Sequence, residues 1–511
     1  SLAFGVTALP VKEEDRSGNP MFGKRDVSRT EHVSSGKGGS VLERSWSRVG
    51  AAGSLRSEFL PPVVEHPTVH VRLSGQDCER GTFNQRHALL VCQETNERYW
   101  PLNNILGPGE QEEVHICNSN LSEAAVLGFE YGYSLENDNA LVVWEAQFGD
   151  FVNVAQPMID NFIVSGEHKW SVQSSLVMLL PHGLEGAGPE HSSARPERFL
   201  QLVDDDPNID LSVLTPKMRD DLERGFDAID IDNSGYISID NLRDTLGKTI
   251  DPDALGERWD IIIAELNAVH AQATRRSDKV VSKEQYMKFA LSWLHRNTES
   301  MANFAVCAPT TPANYFHCLR RQIHRPFSKP LVVLSPKQLH HHKPCTSSMD
   351  EIVDGTWFRR VISETSPANN LQQSKRYRHE LLPDEDIRRL VIVSGKFYYD
   401  LYHARRKRKI HDVAIVRLEQ IAPFPHDHVA AVCRKYQNAE IVFVQEEPEN
   451  QGYWSYVSPR LDTCLRVYNN EHPGNRVIRS ISRQGASTPA HGSFRVHLQE
   501  TKDLVEEVFS A

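Results

Sequence analysis

Polar groups crowd two places in this chain where a hydrophobic core would not choose them. Glu145, Gln147 and Asp150 follow the apolar run LVVW at 141–144, and His182, Glu185, Glu190 and His191 follow VMLL at 177–180. Both runs are short and continuously apolar, as strands buried on both faces of a parallel sheet are. Open α/β sheets bind ligands beyond the carboxyl ends of their strands. A carboxylate, the paired aromatics Phe148 and Phe151, and two histidines placed there read as one wall of an active site. Two histidines in a glycine-rich loop can bind a carboxylate and shuttle a proton. The loop is no phosphate-cradling Gly-x-Gly-x-x-Gly, because Gly183, Gly186 and Gly188 have the wrong spacing. Phenylalanines alone are more often core than cofactor contacts, so these two are weighed with their neighbours.

The elements that must position this wall follow from periodicity. Leu121, Ala125 and Phe129 fall at helical spacing, with Asn118 or Ser119 placed to cap the start. Strands and helices alternate from about residue 69 to 208 and again after 301, with FAVCAP at 304–309, a helix over 312–326 and KPLVVLSP at 329–336. A second alternating unit has strands at RLVIVSG (389–395), VAIVRLEQ (413–420) and AEIVFVQEE (439–447). The expected fold is α/β: two doubly wound, mostly parallel-sheet domains. Residues 1–65 are rich in Ser, Gly, Arg and Lys and are expected to be disordered or irregular.

Residues 209–300 interrupt the alternation with four helix patterns, which predicts an all-α insert. Thr215 and Pro216 make a start signal before the apolar face Met218, Leu222, Phe226 and Ile229. The next twelve residues, DIDNSGYISIDN at 230–241, resemble the loop of an EF-hand calcium site. Asp230, Asp232 and Ser234 match its first, third and fifth ligands, Gly235 its turn, Tyr236 its carbonyl and Ser238 its ninth position. Ile237 sits where such a loop pairs with a partner loop. Asn241 replaces the bidentate glutamate that ends the motif, so calcium binding is expected to be weak.

At 511 residues the chain has room for about three domains. A net charge of −11, with no aromatic-studded basic stripe, argues against nucleic acid as a partner. No apolar run approaches the length of a membrane span. The eight cysteines are far apart with no Cys-x-x-Cys pair, which suits reduced thiols. The basic run Arg405, Arg406, Lys407, Arg408, Lys409 reads as a solvated helix face.

Several long motifs resemble the thiamine-diphosphate-dependent first component of the 2-oxoglutarate dehydrogenase complex. They are NSNLSEAAVLGFEYGY (118–133), WEAQFGDF (144–151) and HGLEGAGPEHSSARPERFLQ (182–201), extended by HVRLSGQDCERGTFNQRH (70–87) and FPHDHVAAVCRKYQNAEIVFVQEEPENQGYW (424–454). The resemblance implies a pyrimidine-binding domain at 66–208 and 301–338, interrupted by the insert at 209–300, and a C-terminal α/β domain at 339–511. It implies thiamine diphosphate as cofactor and Glu123 as the buried carboxylate that shares a proton with the aminopyrimidine, its pKa raised by burial. Phe151 would be the stacking aromatic, with Phe148 and Gln147 beside it, and His182 and His191 would contact substrate. The family holds diphosphate and magnesium on a separate domain through a GD…N motif that these residues do not contain. A homodimer, or a separate diphosphate-binding half, is therefore the expected partner. The implied reaction is decarboxylation of 2-oxoglutarate with transfer of a succinyl group to the lipoyl-bearing succinyltransferase component, in the mitochondrial matrix. Alternatives are 2-oxoadipate dehydrogenase, which QRHALLVCQET (85–95) resembles, and a catalytically silent, calcium-responsive regulatory subunit.

Overall fold

The structure, a computed structural model, describes residues 69–107, 111–137, 139–207, 223–227, 229–230, 234–238, 280–283, 286, 302–325, 327–353, 356–365, 378–469 and 476–510. One compact unit carries both large sheets, and the described part of the insert belongs to a second.

The first sheet has six parallel strands: β1 (His70–Gly75), β2 (Val114–Asn118), β3 (Ala140–Glu145), β4 (Val177–Pro181), β5 (Ala305–Cys307) and β6 (Leu331–Ser335). Their spatial order is β5-β6-β4-β3-β1-β2. Strands β3, β4, β5 and β6 are buried at every position, as the continuous apolar runs require. The second sheet pairs β7 (Val361–Ile362), β8 (Arg389–Val393), β9 (Val413–Leu418), β11 (Glu440–Pro448) and β12 (Ile478–Arg483) in the order β7-β9-β8-β11-β12, with only β7 antiparallel. Between β9 and β11 the chain crosses over. Strand β10 (Gln420–Ala422) leaves the second sheet and adds antiparallel to β5 of the first. The two sheets accordingly share one hydrophobic core, in which Leu180 and Val332 of the first join Leu390, Ile421 and Phe443.

Helix α1 (Glu123–Ser134) corrects two expectations. Its cap is Ser122, whose hydroxyl accepts from Ala125 N, and not Asn118 or Ser119. The face it packs inward is Leu127, Glu130, Tyr131 and Ser134. Leu121 and Phe129, from the predicted apolar stripe, are 85% and 59% exposed. A buried ion pair fixes this rotation. Glu130 takes Arg72 Nε at 2.7 Å and Ser74 Oγ at 2.7 Å, both from β1, so the helix turns its carboxylate inward and its apolar stripe outward.

The insert leaves and rejoins this unit through a closed stem. Asp204 and Asn303 bond reciprocally, each backbone amide donating to the other's side-chain oxygen at 3.2 and 2.8 Å. Asp205 is held by Arg460 at 2.5 Å and by Tyr456 Oη at 2.5 Å, on helix α2 (Trp454–Thr463). In the insert itself, Phe226 and Ile229 are buried, and Tyr236–Ser238 pairs antiparallel with Val280–Ser282, Ile237 opposite Val281.

Candidate active site

The carboxyl ends of β2, β1, β3 and β4 lie side by side. Gly75, Asn118 and Glu145 fall in one row of the register. A side chain on Gly75 would stand 2.2 Å from the Glu145 carbonyl oxygen, so glycine is what lets these ends approach. Glu145 itself, a member of the predicted wall, is engaged within the protein. Both its oxygens take Arg86 at 2.8 Å, and this buried pair straps the loop after β1 to β3.

Glu123 opens α1, where the helix dipole favours a carboxylate, and its Oε1 accepts from Gln76 Nε2 at 3.1 Å. It is half-buried here, not buried as expected, because the first turn of α1 stands at the rim beside the exposed Leu121. Gln147 donates to Asp77 at 3.4 Å. Glu123 and Gln147 are thus both tied to the loop after β1.

Phe148, Phe151 and His191 come together at the strand ends. The His191 ring stands edge-on to Phe148 at 4.5 Å and to Phe151 at 5.8 Å, and the two phenylalanines lie 5.7 Å apart. Phe83 joins at 5.5 Å from Phe148, a member that reading the sequence missed. All four rings are half-buried, so they form a platform at the strand ends and not a piece of core.

The loop carrying His191 is braced on every side. Asp150 Oδ1 accepts from Ser192 N and Ser193 N, each at 3.0 Å. The ammonium of Lys337, just past β6, donates to the carbonyls of Gly183 at 3.1 Å and His191 at 2.6 Å. Burial lowers its pKa, partly offset by the charges of Glu185 and Asp150. Leu184 N donates to Glu446 at 3.1 Å, and Glu446 pairs with Lys396 at 2.8 Å. Burial would raise the Glu446 pKa, but the Lys396 charge outweighs it and holds the carboxyl below its ordinary value.

His182 lies at the base of the same loop. Its Nδ1 accepts from Ala194 N at 3.1 Å and its Nε2 meets Glu447 Oε1 at 2.6 Å. Burial lowers its pKa, and the Glu447 hydrogen bond and charge more than compensate, leaving it raised. Glu447 and Lys337 were not singled out from sequence, although both are charged residues placed at or just beyond buried strands, which is the signal that exposed the rest of the wall. Glu185 accepts from Gln338 N, and Glu190 is exposed.

In the insert, Asp230 Oδ1 accepts from the amide and hydroxyl of Ser234 and its Oδ2 from Gly235 N. Ser234, Tyr236 and Ser238 follow it in the described loop, while Asp232 and Asn241 lie outside the described residues. Among the described residues no group of three or more His, Cys, Asp or Glu is gathered as a metal site. Nor is any helix among them long and apolar enough to cross a membrane.

The transketolase pyrimidine-binding domain family matches residues 66–228 and 292–342, and the 2-oxoglutarate dehydrogenase C-terminal family matches 346–509. The chain is 41% identical over 444 residues to the mitochondrial 2-oxoglutarate dehydrogenase of Caenorhabditis briggsae, covering 86% of this chain and 34% of that protein. It is 39% identical over 443 residues to the mitochondrial 2-oxoglutarate dehydrogenase-like protein of Rattus norvegicus, covering 86% and 34%. To the 2-oxoadipate dehydrogenase complex component E1 of Mus musculus it is 36% identical over 510 residues, covering 99% and 42%. The chain therefore spans between a third and a half of the length of these relatives.

Proposed function

From a chain built of a transketolase-type pyrimidine-binding domain and the C-terminal domain of 2-oxoglutarate dehydrogenases, we propose that it is the pyrimidine-side half of a thiamine-diphosphate-dependent 2-oxo acid dehydrogenase site. The observation that carries this reading is the half-buried platform of Phe148, Phe151 and His191 at the same strand ends as Glu123.

The residues fit the pyrimidine end of the cofactor. The half-buried rings of Phe148 and Phe151 at the strand ends suit a flat heterocycle, and a carboxylate at a helix start suits a ring nitrogen that must share a proton. Bound thiamine diphosphate supplies the nucleophilic carbon and the electron sink for decarboxylation. Glu123 holds the proton that activates it, oriented by Gln76. His191 binds the substrate carboxylate and moves a proton near it. Magnesium and the diphosphate belong to residues outside this set.

The substrate is 2-oxoglutarate, and the succinyl group passes to the lipoyl-bearing succinyltransferase component in the mitochondrial matrix. The longer homologue 2-oxoadipate is the second reading, favoured by a match to the mouse protein that takes in 99% of this chain and 42% of that protein. The diphosphate and magnesium are held outside the described residues, and an exposed apolar surface offers a docking face: Phe129 of α1, Leu121 just before it, Val154 and Trp170 are all more than half exposed. The loop at 230–241 binds calcium weakly, supported by the inward turn of Asp230 and the pairing of Ile237 with Val281. The test is reconstitution with a diphosphate-binding half and measurement of lipoyl succinylation from 2-oxoglutarate. No turnover of either 2-oxo acid by the reconstituted pair would refute the reading.

A further inference from the structure

We propose that His182 is a positioning residue and not a substrate ligand: its imidazole, protonated on Nε2, bolts the loop that carries His191 to Glu447 of the second sheet. The proton's place follows from the donor opposite it. A backbone N–H can only donate, so Nδ1, facing Ala194 N at 3.1 Å, must present its lone pair. The ring proton is then on Nε2, where Glu447 Oε1 accepts it at 2.6 Å. Both ring nitrogens are occupied by protein, and the flank of the ring is closed by the edge-on Tyr453 at 6.2 Å. The residue is 4% exposed. A buried histidine in this state has no polar atom to offer a 2-oxo acid.

What it does hold is the base of a closed loop. Gly183 N donates to Ser192 O at 2.9 Å, so residues 182–183 and 192–194 lie side by side, and the His182–Ala194 bond completes the clasp. Within that clasp Asp150 fixes the two amides that follow His191, and Lys337 fixes its carbonyl. The backbone of His191 is thereby set from three directions, and its ring is delivered edge-on to Phe148. Two of the loop's anchors, Glu446 and Glu447, stand at the carboxyl end of β11. The second sheet therefore contributes to the site through geometry, by holding the loop closed. Removing one partner of a buried, hydrogen-bonded pair costs far more than its net worth, because the other is left unsatisfied.

The inference leans on the proposed function only in treating His191 as the substrate-facing group, and its test does not need turnover. The full chain is labelled with ¹⁵N-histidine, and His182→Gln identifies the His182 signals in long-range ¹H–¹⁵N spectra. The expected result, on the alkaline side of a titration that Glu447 moves above its ordinary position, is a protonated Nε2 and a bare Nδ1. Hydrogen exchange of the 188–195 backbone should speed up by about tenfold or more in Glu447→Ala, and stay at the parent rate in Glu447→Gln, whose amide oxygen still accepts. A neutral ring with its proton on Nδ1, or equal exchange in the parent and Glu447→Ala, would overturn the proposal. So would displacement of the His182 signals when thiamine diphosphate and 2-oxoglutarate are added with the diphosphate-binding half.

Discussion

Gln76 reaches across from the end of β1 to donate its side-chain amide to Glu123 at the head of α1, 3.1 Å away. The carboxylate is oriented by a neighbouring strand's loop, and that loop is itself strapped to β3 by Arg86 and Glu145. Glu123 and the strand ends are thus tied together through one loop.

In the reconstituted enzyme, Glu123→Ala should lower turnover by about 10²–10⁴-fold, the usual loss for a positioned proton-transfer group. Gln76→Ala should cost much less, since it removes orientation and leaves the carboxylate. Steady-state rates on both variants check this; a Glu123→Ala enzyme within a few-fold of the parent would reassign the role.

The apolar stripe on α1 predicts self-association or capture of the diphosphate half. Phe129 is 59% exposed and lies under the guanidinium of Arg72 at 5.4 Å. Phe129→Glu should leave the fold intact and shift the sedimentation profile to the smaller species. An unchanged profile in a parent that does associate would place the interface elsewhere.

Arg86→Ala leaves Glu145 buried without its partner, so the loss of stability should be on the order of 3–5 kcal/mol. Urea unfolding followed by far-UV dichroism measures it. A loss under 1 kcal/mol would mean that water reaches Glu145 freely.

His426 supplies a pH signature. Burial at 5% exposure pushes its pKa down to about 4, from an ordinary value of 6.5. Its charged form is disfavoured in the fold, so the group has no effect above pH 6.5 and destabilises as pH falls from 6.5 towards 4. At 1.36 kcal/mol per unit, the accumulated loss is on the order of 3 kcal/mol. His426→Gln should flatten the denaturation midpoint over that window. An identical pH slope in parent and variant would show that other groups carry it.

Calcium affinity of the full chain should fall near 10⁻⁴–10⁻³ M, and Asn241→Glu should tighten it by restoring a charge and a second oxygen. Calorimetry decides it: sub-micromolar affinity in the parent, or no heat in the variant, contradicts the reading.

The strands and the aromatic platform were legible because each rests on a local signal. Runs such as LVVW and VMLL can only be buried strands in a chain that alternates, and polar residues directly behind them mark the ligand end. The face of α1 was misread for a physical reason. Periodicity finds an apolar stripe, but cannot tell whether the stripe packs inside or outside when a buried pair such as Arg72–Glu130 fixes the rotation. The migration of β10 to the first sheet was equally hidden, since three residues carry no mark of which edge they will join. The type of His182 and its glycine-rich surroundings point to a substrate contact, and nothing local points to its hydrogen-bond partner. Its partner Glu447 lies 265 residues away. The basic run held a similar surprise: Arg405 is wholly buried against Glu364, while its four neighbours are exposed.

The Asp204–Asn303 clasp makes the site of insertion a port: residues 204 and 303 are held together, so the chain departs from and returns to the first unit at one point. Doubling a loop's length adds only about 0.6 kcal/mol of closure entropy. The length of a segment spliced in at this position therefore adds little to the closure entropy that the first unit must offset.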